Sequence, residues 1–177
     1  MNNEEPVCGQ LAARLHQEAD AFTRHTSTDP LPPAPVVLGH ACRAFTIAAA
    51  AARLLDEHAI PHRDAYAVCA DDCGHAVLAL NEILGPHLVR RYTGGTVLRA
   101  DITALRQKGE EELDLSTIED TDHITAAMVT LGAALTKALT PMATDENLPP
   151  MMREAARMAA DAADILWSHF GGDSGGW

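Results

Sequence analysis

The sequence predicts an all-α fold, and three observations carry that prediction. Ala is abundant, apolar residues recur at steps of three and four, and few segments alternate with period two. Hydrophobic types make up 47% of the 177 residues but aromatics only 4%, so the apolar surface is fine-grained and lets helices approach closely. A chain of this length suits one domain and can bury roughly 70% of the surface its unfolded form exposes, without a metal or disulfide as a staple. The expected architecture is a single antiparallel bundle of five to six helices over residues 1–170. It has a Pro-rich first connection and a flexible Gly-rich tail at 171–177.

The first helix is expected from about Glu4 to Arg24, with Val7, Leu11, Leu15, Ala19 and Phe22 on one face. Pro6 fits its first turn, where the missing amide has no intrahelical partner. Ser27 to Pro35 reads STDPLPPAP, an extended connection able to reach across the end of a bundle. A second helix, about Val37 to His58, carries Leu38, Cys42, Phe45, Ala49, Ala52 and Leu55 on one stripe, and Pro61 marks the break after it.

The central helix starts near His62 or Arg63, with Tyr66, Cys69, Cys73, Val77, Leu80 and Leu84 on one stripe. Gly85 and Pro86 end or kink it. A short helical piece closes at Gly94 and Gly95, and a further helix spans about Val97 to Gln107. Ser116 to Glu119 forms an S-x-x-E capping box that opens the next helix, whose stripe Ile124, Met128, Leu131, Leu135 and Leu139 is expected to stop at Pro141. Pro149 and Pro150 suit the start of a last helix running to about Phe170, with Met152, Ala155, Ala159, Ala162, Leu166 and Phe170 facing inward.

A net charge of −12 argues against a phosphate-binding surface, because nucleic-acid affinity rests on Lys and Arg displacing counterions. The N-terminus lacks a basic region followed by an apolar core. The longest small-apolar run, Ala44 to Ala52, is far below the roughly 20 residues of a membrane span. A cytoplasmic protein follows as the expectation, with Cys8, Cys42, Cys69 and Cys73 as reduced thiols.

Chemistry-bearing residues are densest on the central helix. Asp72 with His75 and Asp120 with His123 repeat a D-x-x-H spacing, which shares a helix face and suggests a two-metal site. The chain has no Glu-x-x-His, and His75 is out of phase with the Cys69 and Cys73 stripe. Cys69 and Cys73 at i and i+4 offer two thiolates for zinc, completed by His75 or by His40 and Cys42; the competing account is two small buried hydrophobes. No Gly-rich phosphate loop or Rossmann fingerprint occurs.

Bases from Arg90 to Lys108 precede acids from Glu110 to Asp122, and the two blocks either pair with each other or leave an acidic patch for a basic partner. Glu110, Glu111, Glu112, Asp114 and Trp177 are the candidate partner-binding residues. The leading expectation is a non-enzymatic bundle that acts through protein contacts or self-association, using its acidic surface or an Ala-rich helix face. No cofactor is expected. The alternative is a metal- or small-molecule-binding bundle, with zinc or iron among the ligands, sited at Cys69, Asp72, Cys73 and His75.

Overall fold

A computed structural model describes residues 7–58, 63–93, 103 and 118–171. Five helices account for nearly all of them: α1 (Val7–Thr26), α2 (Ala34–His58), α3 (Arg63–Thr93), α4 (Ile118–Thr144) and α5 (Pro150–Ser168). Among the described residues there is no strand. The further helix expected over about Val97 to Gln107 lies outside them, apart from Thr103, which is helical. The capping residues Ser116 and Thr117 also lie outside them.

The helices close a circuit in which α1 packs on α2, α2 on α3, α3 on α5, α5 on α4, and α4 back on α1. α2 also meets α4 and α5, so it touches every other helix. Its burial follows from that position. Leu38, Ala41, Cys42, Ala44, Phe45, Ala48, Ala52 and Leu55 are fully excluded from solvent, so apolar contact extends well beyond one stripe. The expectation that the 64–84 stretch supplies the central helix is therefore corrected, because the most enclosed helix is the Ala-rich one before it. Small side chains on both sides of α2 allow neighbours to approach on several faces, and roughly 25 cal/mol stabilises each Å² of apolar surface so removed from water.

The stripes of the other helices face inward as their spacing predicts. Ile124, Met128, Leu131, Leu135 and Leu139 of α4 are all fully buried, as are Tyr66, Cys69, Cys73 and Leu80 of α3. Phe170, two residues past α5, stacks on Tyr66 with ring centroids 5.2 Å apart, which ties the chain after α5 to α3.

Prolines move three boundaries. α2 starts at Ala34, so Pro35 sits in its first turn and not in the connection; a first-turn proline has no intrahelical amide to lose. The connection shortens to residues 27–33, with a cis peptide between Asp29 and Pro30. Gly85 kinks α3 rather than ending it: at φ 72 and ψ 165 it leaves helical geometry, and Pro86 begins a second arm running to Thr93. Pro141 lies inside α4, which continues to Thr144. Only one turn remains after that proline, so the fully buried stripe before it carries the extension.

Two segments, Ala34–Glu57 and Asp122–Thr144, are long and apolar enough by length and composition to cross a membrane, with mean hydropathies of 1.3 and 1.2. The expectation that no segment reaches span length counted an uninterrupted apolar run, and both helices exceed it by tolerating scattered polar residues. Within the bundle the buried residues of α4 are its core stripe, while Asp122, His123, Thr130, Lys137 and Thr140 are exposed.

Candidate functional site

The residues singled out on α3 do not converge. Cys69 and Cys73 point into the core and are fully buried. Burial, then the charge of Asp72, pushes the Cys69 thiol up to about 12. Cys73 is pushed up further, by burial first and then by Cys69 and Asp72. Asp72 is half-buried, and His75 is exposed on another face. Two residues on a helix turn the side chain by about 200°, so a ligand two positions past Cys73 faces away from it.

His75 instead borders a shallow depression of about 490 Å³ between α2 and α3, beside Asp71, Arg53, Thr46 and Gly74. Among the described residues, no three His, Cys, Asp or Glu side chains are grouped to hold a metal ion. Cys42, a proposed fourth zinc ligand, donates its thiol hydrogen to Asn81 Oδ1 at 3.3 Å, and burial pushes its pKa up to about 11. Of the second D-x-x-H pair, His123 is exposed and the Asp120 side chain lies outside the described residues. So do Glu110, Glu111, Glu112, Asp114 and Trp177.

Ala44, Ala48 and Ala52 of α2 and Ala155, Ala156, Ala159 and Ala163 of α5 are in the core, where they serve close helix packing within the chain.

Two features escaped the sequence reading. The first is a polar cluster where α1, α2 and α3 meet. Glu18, with 7% of its side chain exposed, accepts from Arg43 Nε at 2.6 Å. Beside this pair the His25 and His40 rings stack at 4.3 Å and 4° interplanar, and Tyr92 meets His40 edge-on at 4.9 Å. Burial, then His25, lowers the pKa of His40, with Arg43 acting in the same direction and Glu18 against it. A signal for Glu18 was present: it falls three after Leu15 and four before Phe22, on the inward stripe of α1, where a lone carboxylate demands a partner. Nothing local points to Arg43.

The second is a cavity of about 720 Å³ between the C-terminal end of α1, the Pro-rich connection, the start of α2 and the end of α4. Its wall is mainly apolar, from Leu31, Pro32, Val37, Ala138, Met142 and Leu148. Thr23, Thr26, Ser27, Lys137 and Asp145 supply polar atoms. Two of these side chains are already engaged. Thr26 Oγ1 donates to the Phe22 carbonyl at 2.8 Å, and Asp145 Oδ1 accepts from the Asn147 amide and Nδ2 at 2.9 and 3.0 Å. Lys137 is exposed and has no hydrogen-bond or ion-pair partner among the described residues. The connection crossing the bundle end, as its prolines predict, forms one wall.

Among the described residues, fold and site together define a bundle of five helices with an open, mainly apolar cavity at one end. No protein-family model matches the chain, and neither a curated protein nor a solved structure matches it.

Proposed function

We propose that this chain is a non-enzymatic helical-bundle protein that works by binding a small apolar molecule in the cavity bounded by α1, the Pro-rich connection, α2 and α4. The cavity itself carries the reading. Its volume of about 720 Å³ falls within the roughly 300–1,000 Å³ typical of small-molecule sites, and its mainly apolar wall with a few polar groups has the make-up of such sites. The alternative of a site at Cys69, Asp72, Cys73 and His75 is less well supported, since two of those side chains face the core and His75 faces away from them. Capture of a basic partner by the Glu110 to Asp114 segment rests on residues outside the described structure.

The test is thermal unfolding of the full chain with increasing decan-1-ol, a neutral apolar probe. The wild type should gain stability in proportion to the logarithm of free ligand above its Kd. Ala138→Trp, which places a large ring in the cavity, should remove that gain while leaving the helical circular dichroism unchanged. Equal stabilisation of wild type and Ala138→Trp would put the binding elsewhere and overturn the assignment.

A further inference from the structure

We infer that the cavity selects an anionic amphiphile, a medium-length alkyl carboxylate in chemical class, whose headgroup pairs with Lys137 and whose tail lies along α4 toward Leu148. This inference rests on the binding reading above and adds to it a charge and an orientation. On α4, Ala134, Lys137, Ala138, Pro141 and Met142 line the cavity, and Asp145 joins them one residue past the helix end. Their spacing keeps them on one face and makes that face a track running along the helix.

Lys137 stands near one end of the track and Asp145 at the other. Eight residues at about 1.5 Å of rise separate them by about 12 Å. Between and around them lie Met142, Leu148, Leu31 and Pro32, which offer apolar contact to a chain.

The two charged groups differ in availability. Asp145 holds the Asn147 amide and side chain on one oxygen, at 2.9 and 3.0 Å, while the Lys137 ammonium has no partner among the described residues. A carboxylate therefore finds a free counter-charge at Lys137 and a like charge at Asp145, and this fixes which way the ligand lies. A neutral alcohol of equal length gains the apolar contact only. A primary amine of equal length meets a like charge at Lys137.

Binding of decanoate, decan-1-ol and decylamine to the full chain, measured by isothermal titration calorimetry below their aggregation concentrations, tests both levels. Wild type is expected to bind decanoate most tightly. Lys137→Gln should weaken decanoate by about five- to tenfold, a range set by an ion pair partly open to water, and leave decan-1-ol unchanged. Lys137→Glu should reverse the order, so that decylamine binds more tightly than decanoate. Lys137 is exposed and has no hydrogen-bond or ion-pair partner among the described residues, so neither variant removes such a bond there.

If decan-1-ol binds the wild type but Ala138→Trp alone abolishes it, and decanoate is indifferent to both Lys137 variants, the cavity assignment survives and the charge selection is refuted. If none of the three probes binds, the binding reading fails and the inference with it.

Discussion

Gly132→Ala probes a close backbone contact between α4 and α5. Gly132 is buried in the middle of α4, facing α5. A Cβ built there would lie 2.8 Å from the Trp167 amide nitrogen, 2.9 Å from the Ala163 carbonyl oxygen and 2.9 Å from Leu166 Cβ. Comfortable carbon contacts lie at about 3.5–4.0 Å, so the new methyl asks for more than half an ångström from atoms fixed in a helix. No rotamer change can supply it. α5 must move as a body, and that loosens Ala159 and Ala163, which are fully buried.

Overpacking of this kind costs about 1–3 kcal/mol, and a clash with rigid backbone belongs at the upper end. Replacing Gly by Ala in a helix returns about 1 kcal/mol of propensity. The expected net loss is about 2 kcal/mol, or a Tm lowered by about 4–8 °C for a chain of this size. Gly74→Ala is the matched control: its nearest neighbour is Arg53 Nη2 at 3.7 Å, an ordinary contact, so it should gain up to about 1 kcal/mol from propensity alone. Urea unfolding followed by circular dichroism reads both. Should Gly132→Ala be as stable as Gly74→Ala, the close approach of α4 to α5 is wrong.

Alkylation tests the buried thiols: with pKa values raised by burial to about 11 at Cys42 and about 12 at Cys69, and higher at Cys73, peptide mapping after iodoacetamide treatment should find all three protected in the native protein and labelled in urea. Rapid native labelling of Cys73 would contradict its position in the core. Arg43→Ala should destabilise by about 2–3 kcal/mol, because it strands a carboxylate with 7% exposure, whereas Glu18→Ala should cost less, about 1–2 kcal/mol, because Arg43 at 26% exposure can turn to water. The reverse order in urea midpoints would refute the burial difference. His40 has its pKa lowered from 6.5 by folding, so the unfolded chain binds the extra proton first; its contribution is intact above about 6.5 and is lost as pH falls through the lower folded value. His40→Gln should therefore show a smaller drop in urea midpoint than wild type between about pH 7 and about pH 5.

Helix existence was legible in the sequence because a stripe of Leu, Ile, Met and Ala at 3.6-residue spacing reports burial directly. Every stripe residue of α4 named from spacing, from Ile124 to Leu139, is fully buried. Proline and glycine positions were legible only as interruptions. Gly85 carries the positive φ that a terminator needs, yet Pro86 restarts a helix at once, and nothing in the local dipeptide distinguishes a kink from an end. Pro141 misled for a related reason: local propensity disfavours it, while burial of the preceding turns, a tertiary effect, holds α4 through it.

The candidate site was less legible because its parts are distant in sequence. Glu18 and Arg43 are separated by 25 positions, and Cys42 and Asn81 by 39. The residues that drew notice, Cys69, Asp72, Cys73 and His75, are dense along the chain, but helical rotation distributes them over different faces. Density in sequence predicts proximity in space only when the phase agrees.

Where the cavity lies follows from the same physics that closes the core. Near the middle of the bundle, Ala on α5 and Gly132 on α4 let backbones meet, and the gap between helices is filled by backbone itself. At the α1 and α4 ends the filler changes. The connection over residues 27–33 contains three prolines, which lack amide donors, so it crosses the end as irregular chain and cannot complete a helical turn against α4. The wall on α4 includes the small side chains of Ala134 and Ala138. Small residues facing a helix give contact; small residues facing an irregular, proline-bearing stretch of chain leave space. Filling that space from within, with Ala138→Leu, should raise Tm as the added methylene groups leave water and should weaken decan-1-ol binding in the same variant. A rise in Tm with ligand binding unchanged would mean that the space filled and the space used are different.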